Sequence, residues 1–342
     1  MLTGLKKKIF IFFVVIIGLY SVLEANEDLA IPFKGTAMTM GYKVLIRPPL
    51  TQDQNKEVTE IIRRTFDEVH MHYNNWNPQS EISKMNELKA NQTFTLSEGM
   101  QGLLSICNEL YILTEGRFDP TVSPLYTLWK KSISKNKRKP TEEEIQETKK
   151  VVGWNKVQIN QQVFKKLIDG VQIDLGGVAK GFAVDLIYAA LLDKGYENFF
   201  IEWGGEIKAH GTPSSQRSWH VLVRNPIQKD PYKEPVTMLK LKNQALATSG
   251  NYFQYWKIKI QGKEQIFTHI VNPKTGSLLE VLAKKGIISS VTVMADNCAK
   301  SDGLATAGMI FSSPNLAKKW GQSVVDKDPG IGFWIVSTDS VN

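Results

Sequence analysis

The sequence predicts an α+β fold with largely antiparallel or mixed sheets flanked by helices. Strand-like runs come in neighbouring pairs joined by tight turns, such as Asp169-Gly170 and Asn272-Pro273-Lys274-Thr275-Gly276. Helical periodicities are interspersed among them instead of alternating one-for-one, which argues against a doubly wound nucleotide fold. The chain has 342 residues, 42% hydrophobic and 22% charged. That is ordinary globular composition, with length for one large domain or two intimate ones.

The first element is a leader. Lys6, Lys7 and Lys8 precede an apolar run from Ile9 to Leu23, and Leu23-Glu24-Ala25 offers a small-residue cleavage site. The run is short for a membrane span of about 20 residues. Residues 1–25 are therefore expected to be a signal peptide or N-terminal anchor, and residues 26–342 the folded domain. The chain carries +8, or about +6 without the leader. The basic residues form no stripe interleaved with stacking aromatics, so no nucleic-acid partner is expected. Cys107 and Cys298 are too few for a disulfide framework or a zinc site, and both fall in apolar helical patterns.

Thr39–Ile46 reads as a strand. Val58, Ile61, Ile62, Phe66 and Val69 recur at helical spacing, as do Met100, Leu103, Leu104, Cys107, Leu110 and Tyr111. The charged stretch from Lys130 to Lys150 reads as a surface loop and a solvated helix, with Thr141 capping Glu142 to Glu144. Further strands are expected at Lys156–Ile159, Gly170–Leu175, Asn198–Trp203, Trp219–Arg224, Gln265–Val271, Ile287–Met294 and Gly332–Ser337. Helices are expected over residues 178–194, ending at Gly195, and over residues 297–310.

Five segments carry chemistry. In Asp174-Leu175-Gly176-Gly177-Val178-Ala179-Lys180-Gly181-Phe182, a glycine pair leads straight into a helix. Backbone amides at such a start can meet an anion, and Lys180 can add a point charge. Tight packing explains the glycines equally well. Asp302 and Thr306 stand four residues apart, one above the other on a helix face, a donor pair suited to a hard divalent cation. A solvated Asp and a backbone-bonded Thr would look the same. If a metal binds there, Asp302 is expected to face a wet pocket and to be the only full negative charge in the shell.

Asp119, in Gly116-Arg117-Phe118-Asp119-Pro120, sits in turn or extended backbone and can bond a heterocycle or simply form the turn. His269 follows Ala247-Thr248-Ser249-Gly250-Asn251-Tyr252 in the chain and precedes a turn. Met38 and Trp76 can sandwich a flat ring or pack in the core.

Taken together and in this order, DLGGVAKGF, FDPTVSPL, the Gly204-Gly205 pair, ATSGNY, HIVNPKTG and SDGLAT resemble the ApbE family of FAD:protein FMN transferases, from about Phe33 to Phe311. The resemblance implies one FAD bound between two intimately packed halves. By residue match, Met38, Trp76, Phe118, Asp119, Gly176, Lys180, Ser249, His269 and Ile270 would bind it. Ala179, through its carbonyl, Asp302 and Thr306 would hold Mg²⁺. His269 would be the catalytic base. The implied reaction moves FMN from FAD to a Thr or Ser hydroxyl of a partner protein, outside the cytoplasm. Membrane redox-pump subunits are the implied acceptors. An FAD pyrophosphatase and a non-catalytic periplasmic flavin-binding protein are the competing readings. This sequence departs from the family pattern at Thr39, where a second glycine is usual, and at Glu202-Trp203.

Overall fold

The computed structural model describes residues 30–214, 217–226, 234–252, 255–260, 262–281 and 286–338. Residues 1–25, expected to be a signal peptide or N-terminal anchor, lie outside these residues. The centre is a seven-stranded sheet. In chain order its strands are β1 (Ile31–Ala37), β2 (Met40–Arg47), β6 (Asn198–Trp203), β7 (Glu206–His210), β10 (Gln244–Gly250), β14 (Ile288–Ala295) and β15 (Gly332–Ser337). They also lie side by side in that order, and every pairing is antiparallel. Register follows the apolar residues: Tyr42 faces Trp203, Val44 faces Ile201 and Ile46 faces Phe199, pairs that fill the pleat from both strands.

Helices cover one face. α1 (Gln52–His72) starts at a Thr51–Gln54 capping box and buries Val58, Ile62, Phe66 and Val69. α2 (Glu81–Glu87) and α3 (Glu98–Leu113) follow. α6 (Ala179–Asp193) and α7 (Cys298–Met309) cross each other directly over β7, β10 and β14. α7 buries ten of its twelve residues. Gly181 permits the crossing, because a Cβ there would stand 2.3 Å from the Cys298 carbonyl oxygen. α8 (Pro314–Lys327) packs on β15. On the opposite face, β8 (Trp219–Val223) and β9 (Thr237–Leu241) form a ribbon whose Trp219 and Leu241 share a core with Phe200, Ile207 and Leu246.

A second lobe has its own core. α4 (Ser123–Ser134) and α5 (Glu142–Lys149) pack on the sheet β11 (Tyr255–Ile260), β12 (Lys263–Asn272) and β13 (Ser277–Glu280), around Leu125, Trp129, Ile145, Phe267 and Leu278. β12 joins the two parts: Phe267 and Val271 belong to the lobe, Ile270 to the main core. A small sheet of β3 (Thr93–Thr95), β5 (Val163–Lys166) and β4 (Val157–Asn160) completes the molecule. The α+β, antiparallel expectation is borne out, as is the Thr141 cap on α5; Cys107 and Cys298 are buried free thiols.

The strand expected at Gly170–Leu175 is a correction. Val171, Ile173 and Leu175 are buried and Gln172 is exposed, so the alternation is real. The backbone pairs with side chains and a loop instead of a strand. Ile173 N donates to Asn86 Oδ1 at 2.7 Å, and Ile173 O accepts from Asn75 and Asn86 Nδ2, each at 2.9 Å. Asp174 N donates to the Pro120 carbonyl at 2.7 Å. Burial on one side makes the pattern of two, and it does not require a ladder.

Candidate active site

The irregular bonding of residues 171–174 gathers the segments that carry the candidate site residues. Asn75 brings the Trp76 loop to the segment that runs into the glycine pair, and the Pro120 carbonyl brings the Phe118-Asp119 turn. Trp76 is 76% exposed, with Lys130 Nζ 4.7 Å from its ring centre, so it is available to a flat ligand. Phe118 is buried against Gly177, where a Cβ would meet both its ring and Thr306 Oγ1 at 3.3 Å. Asp119 lies beneath, accepting from Thr121 N at 2.8 Å and Thr121 Oγ1 at 2.6 Å. Burial raises its pKa, and the Thr121 bonds oppose the rise.

The helix after the glycines begins at Ala179. Val178 supplies no side-chain cap, so the positive end of α6 is open to an acid from elsewhere. Asp302 provides one. Its Oδ2 accepts from Gly181 N at 3.4 Å, and its Oδ1 lies 3.7 Å from Lys180 Nζ. The Lys180 ammonium also pairs with Glu206 Oε1. Glu206 follows Gly204-Gly205, and Gly204 (φ 62°) faces the Met40 sulfur and the Lys180 stem. Thr306, one turn beyond Asp302, lies 3.2 Å from Ser249 Oγ on β10.

Two expectations about Asp302 are corrected here. It is 2% exposed instead of facing a wet pocket, and Glu206, at 1%, is a second carboxylate in the same shell. α7 runs through the centre of the molecule, so spacing on the helix could not reveal depth.

The electrostatics follow from burial. Desolvation raises Glu206 to about 8, with Lys180 opposing and Asp302 adding to the rise. Asp302 is raised for the same reason, opposed by Lys180 and the Gly181 amide. Burial alone would lower Lys180, but Asp302 and Glu206 hold it above the ordinary lysine value. Two acids and one ammonium leave room for more positive charge. Glu206 Oε2 is buried with no hydrogen-bond partner among the described residues. Carboxylate and hydroxyl oxygens are the donors a hard divalent cation takes. The residues present therefore fit Mg²⁺. Among the described residues no group of three or more His, Cys, Asp or Glu is placed to hold a metal ion, so backbone, hydroxyl and substrate oxygens would complete its shell.

His269 is half-buried on β12. Burial raises the pKa of Asp174, opposed first by the Gly176 amide and then by the nearby His269 ring when protonated. Asp174 Oδ1 accepts from Gly176 N at 2.7 Å. His269 thus stands within electrostatic reach of Asp174, two residues before the glycine pair. Ile270 is 6% exposed in the main core. Met38 forms the β1–β2 turn with φ 46°, and the Ala37 carbonyl beside it accepts from Trp203 Nε1 at 3.3 Å. The residues that sequence reasoning left without a role are Glu206, Asp174 and Met40.

The ApbE family pattern matches residues 35–326. The chain belongs to the ApbE family. It is 33% identical over 315 residues to an FAD:protein FMN transferase of Chlamydia muridarum, covering 92% of this chain and 94% of that one. It is 36% identical over 291 residues to an FAD:protein FMN transferase of Chlamydia pneumoniae, covering 84% and 87%. The fold matches the ApbE protein of Thermotoga maritima with a TM-score of 0.74 at 26% identity, over 91% of this chain and 95% of that one. The ApbE frame is thus shared along nearly the whole described chain, with the Lys180–Glu206–Asp302 cluster at its centre.

Proposed function

We propose that the protein splits FAD and transfers its FMN half to a hydroxyl of another protein, releasing AMP. The observation that carries this is the Lys180–Glu206–Asp302 cluster, its two carboxylates buried, with Thr306 beside it, at the start of α6. The names of the Chlamydia relatives agree with it.

The residues divide the work as follows. Trp76 and Phe118 bound the flavin side, with Met38 at its edge and Asp119 and Ile270 setting the pocket wall. Gly176 and Gly177, which leave room for a close approach of the backbone, and Lys180 beside them receive the diphosphate. Asp302, Thr306 and the Ala179 carbonyl would hold Mg²⁺, and Ser249 orients the Thr306 hydroxyl. When bound, Mg²⁺ supplies neutralisation of charge on the diphosphate. The acceptor oxygen attacks the FMN phosphorus, the bond to the AMP oxygen breaks, and His269 takes the hydroxyl proton. The acceptor hydroxyl is a threonine or serine, and membrane redox-pump subunits are the proposed acceptors. The N-terminal segment directs the protein out of the cytoplasm, to the periplasm, where it is either released or held at the inner membrane.

The test is AMP release and covalent flavin measured across a Mg²⁺ titration for wild type and Asp302→Ala. Wild type should give the two products in equal amounts, and the variant should lose Mg²⁺ dependence together with activity. Free FMN with AMP in place of covalent flavin would instead make the enzyme an FAD pyrophosphatase. An active Asp302→Ala with unchanged Mg²⁺ response would place the metal elsewhere.

A further inference from the structure

Behind the site lies a second buried ion pair that touches none of the proposed substrate groups. Asp185 on α6 and Lys208 on β7 have side chains only 11% and 9% exposed. Asp185 Oδ1 accepts from Lys208 Nζ at 2.6 Å and from Cys298 N at 3.1 Å. Its Oδ2 accepts from Ala299 N at 3.0 Å. Both oxygens are therefore engaged by three donors from two other elements. Lys208 Nζ also lies 4.2 Å from the centre of the Tyr188 ring. The same three elements carry the site. α6 holds Lys180 and Asp185, β7 holds Glu206 and Lys208, and α7 opens with Cys298 and Ala299 one turn before Asp302.

We propose that Asp185 and Lys208 form a positioning pair that sets the metal affinity of the site by fixing α6, β7 and α7 against one another. Apolar packing alone could hold these elements together without fixing their rotation. A carboxylate bonded to two successive amides fixes the axial and rotational position of α7, because those amides point along the helix axis. Lys208 in turn ties that carboxylate to the strand, two residues from Glu206 and on the same face. A small rotation of α7 would move Asp302 and Thr306 relative to Glu206. Groups that orient ligands in this way tune metal affinity strongly without touching the ion.

This inference rests on the metal reading above, and the test separates the two. The variants are Asp185→Asn, Lys208→Met, Lys208→Arg and Asp302→Ala. Mn²⁺, a paramagnetic stand-in for Mg²⁺, is titrated by electron paramagnetic resonance with and without FAD, alongside FAD affinity and melting temperature. Asp185→Asn and Lys208→Met should weaken Mn²⁺ by about 10-fold or more, the range for residues supporting ligands. FAD affinity without metal should stay within about threefold, and Lys208→Arg, which keeps the charge on Asp185, should bind Mn²⁺ more tightly than Lys208→Met. If Asp185→Asn does not fold, Lys208→Met and Lys208→Arg decide. A Lys208→Met protein that melts earlier but binds Mn²⁺ as wild type does would overturn the proposal. Wild type that fails to bind Mn²⁺ would defeat the metal reading itself.

Discussion

At the scale of single residues, Glu206 makes a prediction about pH. Its folded pKa, about 8, stands above its ordinary 4.5, with burial as the main cause. The fold therefore favours the neutral acid. The associated stability is fully present in acid below the unfolded value and is lost as pH rises toward about 8. Melting of the metal-free protein between about pH 5 and pH 9 should fall more steeply for wild type than for Glu206→Gln. Parallel curves would show that Glu206 does not titrate in that window. His269→Ala should bind FAD normally but transfer FMN about 10²–10⁴-fold more slowly. Near-normal turnover with weakened FAD binding would make His269 a pocket residue. That Lys180, Asp302 and Thr306 come together was legible because each sits in a compact motif. Glu206 was not, since only the pairing of β7 with β6 and β10 carries it under Lys180, 26 positions away in the chain.

At the scale of elements, the crossing of α6 and α7 decides whether the site exists. Gly181 faces the Cys298 carbonyl so closely that even a methyl group has no room. Gly181→Ala should destabilise by about 1–3 kcal/mol through overpacking, and metal-dependent activity should fall with it as the helices part. Urea unfolding with parallel assays checks both, and a variant of wild-type stability would contradict the close crossing. Both helices were legible from their small and apolar residues and their flanking Gly195 and Asn297. β10 was not expected as a strand, because Gln244–Gly250 is built of small residues with weak strand preference. It forms because β7 and β14 pair with its two edges. Gly170–Leu175 errs the other way, its strand-like alternation being satisfied by Asn75, Asn86 and Pro120.

At the scale of the whole molecule, two cores meet along β12, the strand that carries the candidate residues His269 and Ile270. His269 and Ile270 stand on β12, while Lys180, Asp302 and Thr306 stand on the helices of the main core. The α+β class was readable from paired strand patterns. The lobe was not, because its helices and strands are separated by more than 100 residues and join through packing and long-range bonds such as Trp129 Nε1 to the Gly276 carbonyl. Export makes its own prediction: fractionation should recover the protein outside the cytoplasm, and N-terminal sequencing should find cleavage near Ala25 or an intact anchor. Soluble full-length protein in the cytoplasm would contradict it. The central claim is covalent FMN transfer, and intact mass spectrometry of an acceptor domain tests it most directly. After incubation with FAD and Mg²⁺, the acceptor should gain the mass of one FMN unit, and a Thr→Val acceptor should gain nothing. An acceptor of unchanged mass beside accumulating free FMN, or beside intact FAD, would contradict the account.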